Sequence, residues 1–267
     1  MKRIEAVIFD WAGTTVDHGS LAPLRAVTKL FSREGIPISD GEARRDMGLF
    51  KKDHIRQILA MPRVNHEWVR AAGKAPEEGD VERLFAEFQP LQMEILEAHA
   101  EVIAGVVEVS EKLHALGLKL GSSTGYTRPM LDLLVKLAAT QGYRPDMALC
   151  PDDAGGGRPH PWMCLRMALD FRLSSTAAAV KVGDTVSDVQ EGRNAGMWAV
   201  GISATGNEIG INAAELAALP DAERGHRVAR ACLRLKGAGA HYVVESVGQL
   251  EPVLEDIDAR LAAGERP

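Results

Sequence analysis

Residues 4–17 read IEAVIFDWAGTTVD, and this stretch decides the fold of the chain. Its first part, residues 4–9, is a short apolar run rich in β-branched side chains, which is typical of a buried parallel strand. The run ends at Asp10, and small and polar residues follow it as a turn. Active sites of α/β proteins lie beyond the carboxyl ends of such strands, so we expect Asp10 at the rim of an active site.

From residue 118 to the end, short apolar runs alternate with amphipathic stretches. The apolar runs predict strands at residues 118–123, 147–150, 178–182, 198–202 and 241–244. The amphipathic stretches predict helices at residues 129–141, 161–171, 187–195, 213–219, 222–235 and 247–261. Strands that alternate with helices indicate a parallel sheet covered on both faces. We therefore predict an α/β fold with a doubly wound parallel sheet, that is, a Rossmann-like core.

The segment between the first two predicted strands has a different pattern. It contains amphipathic helical stretches, which lie at residues 21–33, 41–59 and 81–98. Proline and glycine punctuate it at Pro62, Gly73, Pro76 and Gly79. We therefore predict a mainly helical cap domain, residues 18–103, inserted after the first strand. The Rossmann-like core then comprises residues 1–17 and 104–267.

The composition excludes several classes of protein. The chain has 267 residues, of which 46% are hydrophobic, and a formal net charge of −6. Nucleic-acid binding favours a basic surface, so we expect no nucleic-acid partner. No stretch approaches the roughly 18 apolar residues of a membrane span, so we expect no membrane segment. The three cysteines show no disulfide or metal spacing, which favours a reduced, cytoplasmic protein.

Polar residues also follow the later predicted strands. Thr124 follows the second strand, Arg158 lies in the loop after the third, and Asp184 follows the fourth. Together with Asp10 they provide two acids, a hydroxyl and a cation at one rim, a set suited to Mg²⁺ and a phosphoryl group. Asp188 lies one helical turn beyond Asp184. It either supports the metal site or is an acid favoured by the helix dipole.

Four segments in chain order resemble the motifs of the haloacid dehalogenase-like hydrolases. They are DWAGTTVD (10–17), STG (123–125), RPHP (158–161) and GDTVSD (183–188). The third motif has arginine in place of the more usual lysine. One such motif alone is weak support, but four in the right order and spacing are a strong signal.

The residue two positions after Asp10 separates branches of that superfamily. Phosphatases and mutases place a second aspartate there as general acid and base, whereas this chain has Ala12. Residues 10–17 reproduce the corresponding pattern of the phosphonoacetaldehyde hydrolases. The segments MGLFKKDH (47–54), GYTR (125–128) and GRPHPWMC (157–164) also resemble that family. The resemblance covers nearly the whole chain.

This resemblance implies a reaction and a set of residues. The expected reaction is hydrolysis of phosphonoacetaldehyde to acetaldehyde and phosphate, through a Schiff base on Lys51 and an aspartyl phosphate on Asp10. The cofactor implied is Mg²⁺, held by Asp10, Asp184 and the backbone carbonyl of Ala12. The assembly implied is a homodimer.

Further residues take their expected roles from the same resemblance. Thr124 and Arg158 bind the phosphoryl group. Four others line the substrate site beside the lysine; they are Met47, Gly48, His54 and Tyr126. Ser20 stands where some family members carry cysteine, so a cysteine there is not expected to be essential.

The neighbouring Lys52 is an alternative candidate for the Schiff-base lysine. Adjacent residues on a helix point in different directions, so we expect one of Lys51 and Lys52 to face solvent. A Schiff-base lysine must be partly neutral near pH 7, although a free lysine has a pKa of about 10.4. Burial, or a neighbouring cation such as Lys52 or Arg158, would lower the pKa of Lys51.

Two other functions remain open at this point. The first is a phosphate-monoester phosphatase or sugar phosphate mutase on the same fold, against which Ala12 argues. The second is a non-catalytic module that binds a phosphoryl ligand. Such a module could lose Asp10 or Asp184, yet both are present.

Overall fold

The computed structural model describes residues 1–267 and contains one six-stranded parallel sheet. Its strands, in chain order, are β1 (Ala6–Phe9), β2 (Lys119–Ser123), β3 (Met147–Leu149), β4 (Ala179–Gly183), β5 (Trp198–Ile202) and β6 (Tyr242–Val244). Their order across the sheet is β3-β2-β1-β4-β5-β6, with every neighbouring pair parallel. This is the order of a doubly wound sheet, so the predicted fold class is confirmed.

Strand β1 lies at the centre of the sheet, and its position places the site. Phe9 is in register with Ser122 of β2 and with Val182 of β4. The strand order reverses between β1 and β4, and crevices at such a switch point bind ligands in α/β proteins. The residues that follow these three strands therefore meet at one edge, as predicted from the sequence.

Helices between β1 and β2 form the helical block. They are α1 (Leu21–Arg33), α2 (Asp40–Arg44), α3 (Lys51–Ala60), α4 (Pro62–Ala72) and α5 (Glu78–Leu96). The single helical stretch predicted at residues 41–59 is wrong, because a turn around Gly48, whose φ is 92°, separates α2 from α3. Pro62, which was expected to interrupt the helical segment, does not break a helix. It occupies the first turn of α4, where a proline costs no hydrogen bond.

Eight helices follow the helical block in the chain. They are α6 (Val106–Ala115), α7 (Arg128–Thr140), α8 (Pro151–Ala154), α9 (Trp162–Asp170), α10 (Val186–Asn194), α11 (Ala213–Ala218), α12 (Asp221–Gly237) and α13 (Leu250–Ala262). Helix α6 was not predicted from the sequence pattern. This helix begins after Gly105, which has a φ of 87° and provides no capping side chain, so the usual start signal is missing.

One hydrophobic cluster of 52 buried residues runs from the sheet into the helical block. It includes Val180 and Ile202 from the sheet and Ile55 and Leu84 from the block. The block is therefore packed against the sheet in this conformation. The boundaries of the cap domain, residues 18–103, stay a prediction. None of the helices has both the length and the apolar composition needed to cross a membrane.

Candidate active site

Three buried carboxylates meet at the carboxyl ends of β1 and β4. Asp10, Asp184 and Asp188 each bring one oxygen to within 4.8 Å of the others. Asp10 is 5% exposed, and the other two are exposed by 1% or less. Like charges this close repel, so the arrangement requires cations nearby.

The turn after β1 brings the backbone close to this cluster. The Trp11 carbonyl accepts hydrogen bonds from the amides of Thr14, Thr15 and Val16, which closes the turn. Gly13 faces Asp184 with a φ of 88°, and a Cβ atom there would lie 2.5 Å from Asp184 Oδ2. Only glycine fits this position, because both the backbone angle and the space exclude a side chain.

Asp184 is held from two sides. Its Oδ1 accepts a hydrogen bond from Thr14 Oγ1 at 2.9 Å, and its Oδ2 accepts one from the Asn207 amide at 2.7 Å. Burial, followed by the charges of Asp10 and Asp188, raises the pKa of Asp184 well above its usual range. Burial also raises the pKa of Asp10, although Arg158 opposes this. A bound cation would stabilise both groups in the ionised form.

The donor set fits a hard divalent cation. Asp10 Oδ2 has no hydrogen-bond partner within the protein, since Arg158 contacts only Oδ1. The Ala12 carbonyl accepts no hydrogen bond from the protein either. These two oxygens and Asp184 can therefore serve as ligands, and Mg²⁺ binds with only a few protein oxygens because it retains several waters.

Asp188 differs from the other two acids because its oxygens are already occupied. Oδ1 contacts Lys181 Nζ at 2.9 Å and Arg158 Nη1 at 2.9 Å. Oδ2 accepts hydrogen bonds from the amide and the hydroxyl of Thr185. Burial raises the pKa of Asp188, but Arg158 and Lys181 outweigh it and hold the pKa below the usual range. Asp188 thus holds the side chains of Lys181 and Arg158 in place.

Arg158 joins three acids at once. Its guanidinium contacts Asp10 at 2.6 Å, Asp188 at 2.9 Å and Glu191 at 3.0 Å. It also donates to the carbonyl and hydroxyl oxygens of Ser123, at 2.5 and 3.0 Å. These hydrogen bonds use Nε and Nη2, whereas Nη1 makes only the ion pair with Asp188. Arg158 therefore holds the Asp10 carboxylate in one orientation.

Lys181 and Glu191 complete this network, and the sequence analysis missed both. Lys181 Nζ lies 2.9 Å from Asp188 and 3.4 Å from Glu191, and both side chains are buried. A signal for Lys181 existed, because a charged residue inside a buried strand is rare unless it is paired. The signal for Glu191 was its position three residues after Asp188, on the same face of α10.

Thr124 and Tyr126 form the wall of the site after β2. Thr124 Oγ1 accepts a hydrogen bond from the Tyr126 amide at 3.2 Å. The Tyr126 hydroxyl is buried and has no hydrogen-bond partner. Burial raises its pKa well above the usual range, so the phenol stays neutral. A Cβ atom on Gly125 would lie 2.4 Å from the Leu49 carbonyl, so the two halves of the site touch here.

Lys51 begins α3 and is buried at 4% exposure. Its Nζ lies 3.8 Å from Met47 Sδ and 5.3 Å from the centre of the Tyr126 ring, and it has no carboxylate partner. Burial, assisted by the charge of Arg158, lowers the pKa of Lys51 to about 8, although Asp10 opposes the shift. About a tenth of this amine is therefore neutral near pH 7, far more than for a free lysine.

Lys52 faces the other way, as expected for one member of the pair. Its Nζ forms ion pairs with Glu82 and with Glu78 at the surface. The hydrogen bond to Glu82 raises the pKa of Lys52. Lys52 does not contribute to the lowered pKa of Lys51, which comes from burial and from Arg158.

His54 lies three residues after Lys51 on α3. Its Nε2 donates a hydrogen bond to the Ala43 carbonyl at 2.8 Å, because a carbonyl oxygen can only accept. Burial, followed by the charge of Lys51, lowers the pKa of His54 to about 3. The imidazole is therefore neutral, and its Nδ1 is an acceptor.

The helical block and the sheet edge enclose a cavity of about 20 Å³. Its lining includes most of the residues predicted from the sequence, namely Asp10, Ala12, Met47, Gly48, Lys51, Thr124, Tyr126 and Arg158. A cavity of this size holds about one water molecule. A larger ligand therefore does not fit the cavity in this conformation. The structure thus brings an acid nucleophile candidate and an amine candidate into one closed space.

Comparisons with known proteins identify the family. Residues 4–196 match the haloacid dehalogenase-like hydrolase family. The chain is 45% identical to a phosphonoacetaldehyde hydrolase of Bacillus cereus over 256 residues, which cover 96% of this chain and 97% of the relative. A second relative of that name, from Bacillus anthracis, is 44% identical over the same shares.

Solved structures agree with this result. A phosphonoacetaldehyde hydrolase-like protein from Oleispira antarctica has a TM-score of 0.97 and 42% identity, covering 99% of this chain and 96% of that one. A β-phosphoglucomutase from Clostridium difficile, at 17% identity and a TM-score of 0.69, covers 97% of this chain and 99% of that one. The second likeness shows the fold alone. The chain is a hydrolase that belongs to the haloacid dehalogenase-like family and, within it, to the phosphonoacetaldehyde hydrolase group.

Proposed function

We propose that this chain hydrolyses the carbon–phosphorus bond of phosphonoacetaldehyde to acetaldehyde and phosphate. One observation carries the proposal: a buried lysine of lowered pKa and an aspartate with a free oxygen line the same closed cavity. The relatives of this name at 44–45% identity support the substrate. Ala12 supports it as well, because a carbon leaving group does not use an acid two positions after the nucleophile.

Lys51 carries the first half of the reaction. Its neutral amine adds to the aldehyde carbon, and loss of water leaves a protonated imine. The imine accepts the electron pair of the carbon–phosphorus bond, so an enamine leaves in place of a bare carbanion. Neutral His54, with Nδ1 free to accept, and Tyr126 are proposed to move protons at the nitrogen. The bound aldehyde is proposed to lie against Met47 and Gly48.

Asp10 carries the second half. The Asp10 carboxylate attacks phosphorus while Arg158 holds its orientation through Oδ1, and an aspartyl phosphate forms. One water then releases phosphate and restores Asp10. The enamine takes up a proton at carbon, and a second water hydrolyses the imine to acetaldehyde and free Lys51. The balance is two waters in and one out, that is, one water consumed.

The phosphoryl group is proposed to lie between the acids and the wall after β2. Thr124 Oγ1 donates to a phosphoryl oxygen, and Arg158 Nη1, which makes no hydrogen bond within the protein, donates to another. Asp10, Asp184 and the Ala12 carbonyl are proposed to hold Mg²⁺. Asp188 is proposed to support the site by holding Lys181 and Arg158 in place. The ion supplies positive charge that offsets repulsion between the carboxylate and the anionic phosphorus centre.

Assembly and location also belong to the proposal. We expect a homodimer, and sedimentation that gives the monomer mass of 28.8 kDa would contradict it. All three cysteines are unpaired, which is compatible with the cytoplasm.

Reductive trapping tests the proposed function. The protein is incubated with phosphonoacetaldehyde and sodium borohydride, and its peptides are mapped by mass. We expect irreversible inactivation and an adduct on the peptide that carries Lys51. Lys52→Ala is the matched control and should trap as the wild type does, whereas Lys51→Ala should not trap.

Two outcomes would change the conclusion. Phosphate release from simple phosphate esters without any adduct would favour a phosphatase or mutase. Binding of the phosphonate with Mg²⁺ but without phosphate release would favour a non-catalytic binding module. Asp10→Asn separates these cases, because it should abolish phosphate release while the Lys51 adduct still forms.

A further inference from the structure

Arg44, the last residue of α2, reaches from the helical block to the core. Its guanidinium donates to the carbonyl oxygens of Gly19, Gly210 and Asn207 at 2.9, 3.0 and 3.2 Å. It also donates to Asn207 Oδ1 at 3.0 Å, and Asn207 Nδ2 donates back to the Arg44 carbonyl at 3.2 Å. None of these acceptors is a carboxylate. The fork of donors is therefore used for its geometry, and the acids whose charges act on Arg44, among them Asp40 and Asp184, form no ion pair with it.

The space around Arg44 is shaped for its side chain. Gly210 has a φ of 72°, and a Cβ atom there would lie 2.9 Å from Arg44 Nε. Gly19, with a φ of 86°, belongs to the linker between β1 and α1, and its amide donates to the Thr205 carbonyl at 2.7 Å. Arg44 thus ties together α2, this linker and the loop after β5.

The same loop also supports the metal-site carboxylate. The Asn207 amide donates to Asp184 Oδ2 at 2.7 Å. A Cβ atom on Gly206 would lie 2.3 Å from the Asp184 Cβ, so the loop backbone is packed directly on this side chain. Thr205 Oγ1 donates to the Gly13 carbonyl at 2.7 Å, which joins the loop to the turn after β1. A shift of Asn207 therefore moves a hydrogen-bond donor of Asp184.

We propose that Arg44 is a positioning residue that couples closure of the helical block to metal binding at Asp184. When the block is closed, Arg44 fixes Asn207, and the Asn207 amide fixes Asp184 in the orientation that receives the cation. When the block opens, Arg44 leaves its four oxygens and the loop loses this restraint. The two equilibria then favour each other, because coupling between two sites is reciprocal. This inference rests on the proposed metal site.

Calorimetric titration of the full chain with MgCl₂ tests the coupling without turnover. We expect Arg44→Ala and Asn207→Ala to weaken Mg²⁺ binding at least about fivefold, the lower end of usual coupling strengths. Arg45→Ala is the matched control. Arg45 is next in the chain, and its exposed side chain forms an ion pair only with Asp46, so binding should not change. Arg44→Lys keeps the charge without the fork and should behave like Arg44→Ala.

The reverse direction has its own measurement. Mg²⁺ should protect the linker at residues 17–20 from proteinase K in the wild type and in Arg45→Ala, but not in Arg44→Ala. Circular dichroism identifies a variant that has not folded. If Arg44→Ala does not fold, Mg²⁺ binding by Arg44→Lys is used in its place to test the coupling.

Asp184→Asn separates the two ways in which the inference can fail. If Asp184→Asn loses Mg²⁺ while Arg44→Ala and Asn207→Ala bind it as the wild type does, the coupling is wrong and the metal site stands. If Asp184→Asn binds Mg²⁺ as tightly as the wild type, the proposed metal site is wrong, and the coupling with it.

Discussion

Two lysines of this protein are both buried, but their pKa values are shifted in opposite directions. Lys181, 1% exposed, lies inside the sheet and pairs with Asp188 and Glu191. Lys51, 4% exposed, lies in the helical block beside Met47 and the Tyr126 ring and pairs with no acid. Burial lowers the pKa of Lys51 to about 8. Burial also acts on Lys181, but its two acids keep its pKa above the usual value.

The difference teaches that partners, not burial alone, decide the charge of a buried amine. The network around Lys181 is built to keep its charges, because each cation contacts at least two carboxylates. The pocket around Lys51 disfavours charge, because sulfur and an aromatic ring do not replace water. The first arrangement orients the acids of the site, and the second leaves an amine able to react with an aldehyde.

The largest effect is expected when the reactive amine is removed. Lys51→Ala should lower the rate of phosphate release from phosphonoacetaldehyde by about a thousandfold or more, since the covalent route is lost. Steady-state assays of phosphate release measure this. Lys52→Ala should stay within about twofold of the wild type, because its side chain pairs with Glu82 at the surface. Equal losses in both variants would break the distinction between the two neighbours.

The next effect concerns stability and compares the two buried lysines directly. Lys181→Met leaves Asp188 and Glu191 without this cation, and removing one partner of a buried pair costs about 3–5 kcal/mol. Lys51→Met removes an amine without an acid partner and should change stability by no more than about 1 kcal/mol. Urea denaturation followed by circular dichroism measures both. A Lys51→Met variant as unstable as Lys181→Met would show that Lys51 is also held by a structural charge pair.

A smaller effect is expected from the aromatic ring beside Lys51. Tyr126→Phe should lower turnover about a hundredfold, the lower end of the range for proton-transfer groups. The thermal midpoint should stay the same or rise, because the hydroxyl is buried without a hydrogen-bond partner. Differential scanning fluorimetry together with turnover assays tests this. A large drop in the midpoint would mean that the hydroxyl has a structural partner.

The smallest perturbation is a change of pH. A lysine with a pKa of about 8 is charged below that pH and neutral above it, so the reactive form increases as pH rises. Near pH 7 about a tenth of Lys51 is neutral, and the trapping rate should rise about tenfold from pH 6 to pH 7 and level off above about pH 8. The groups that act on this amine are Asp10, Arg158 and Asp184. A rate that keeps rising to pH 10 would show that Lys51 behaves as an ordinary lysine.

The rim of the site could be predicted from local sequence patterns. Asp10, Thr124 and Asp184 each follow an apolar run, and parallel strands bring the ends of such runs to one edge. The division of residues 41–59 into α2 and α3 could not be predicted from periodicity. It depends on Gly48, whose neighbour Thr185 belongs to a different part of the chain.

The network of charges was predicted only in part. Arg158 was expected to bind a phosphoryl group, and in the fold it contacts Asp10, Asp188 and Glu191. These acids lie far from it in the chain, and nothing local indicates which of them it meets. The same holds for Arg44 and Asn207, which lie 163 residues apart in the chain and become neighbours only in the folded protein.

By itself, the sequence determined the parallel sheet, the helical insertion and the set of residues at the strand ends, because these follow from short apolar runs and from the 3.6-residue periodicity of amphipathic helices. The tertiary structure alone decided which of Lys51 and Lys52 is buried, and which buried lysine has an acid beside it. The reason is physical. The pKa of a group depends on desolvation and on nearby charges, and for Lys51 those charges belong to Asp10, Arg158 and Asp184, which lie in other segments of the chain.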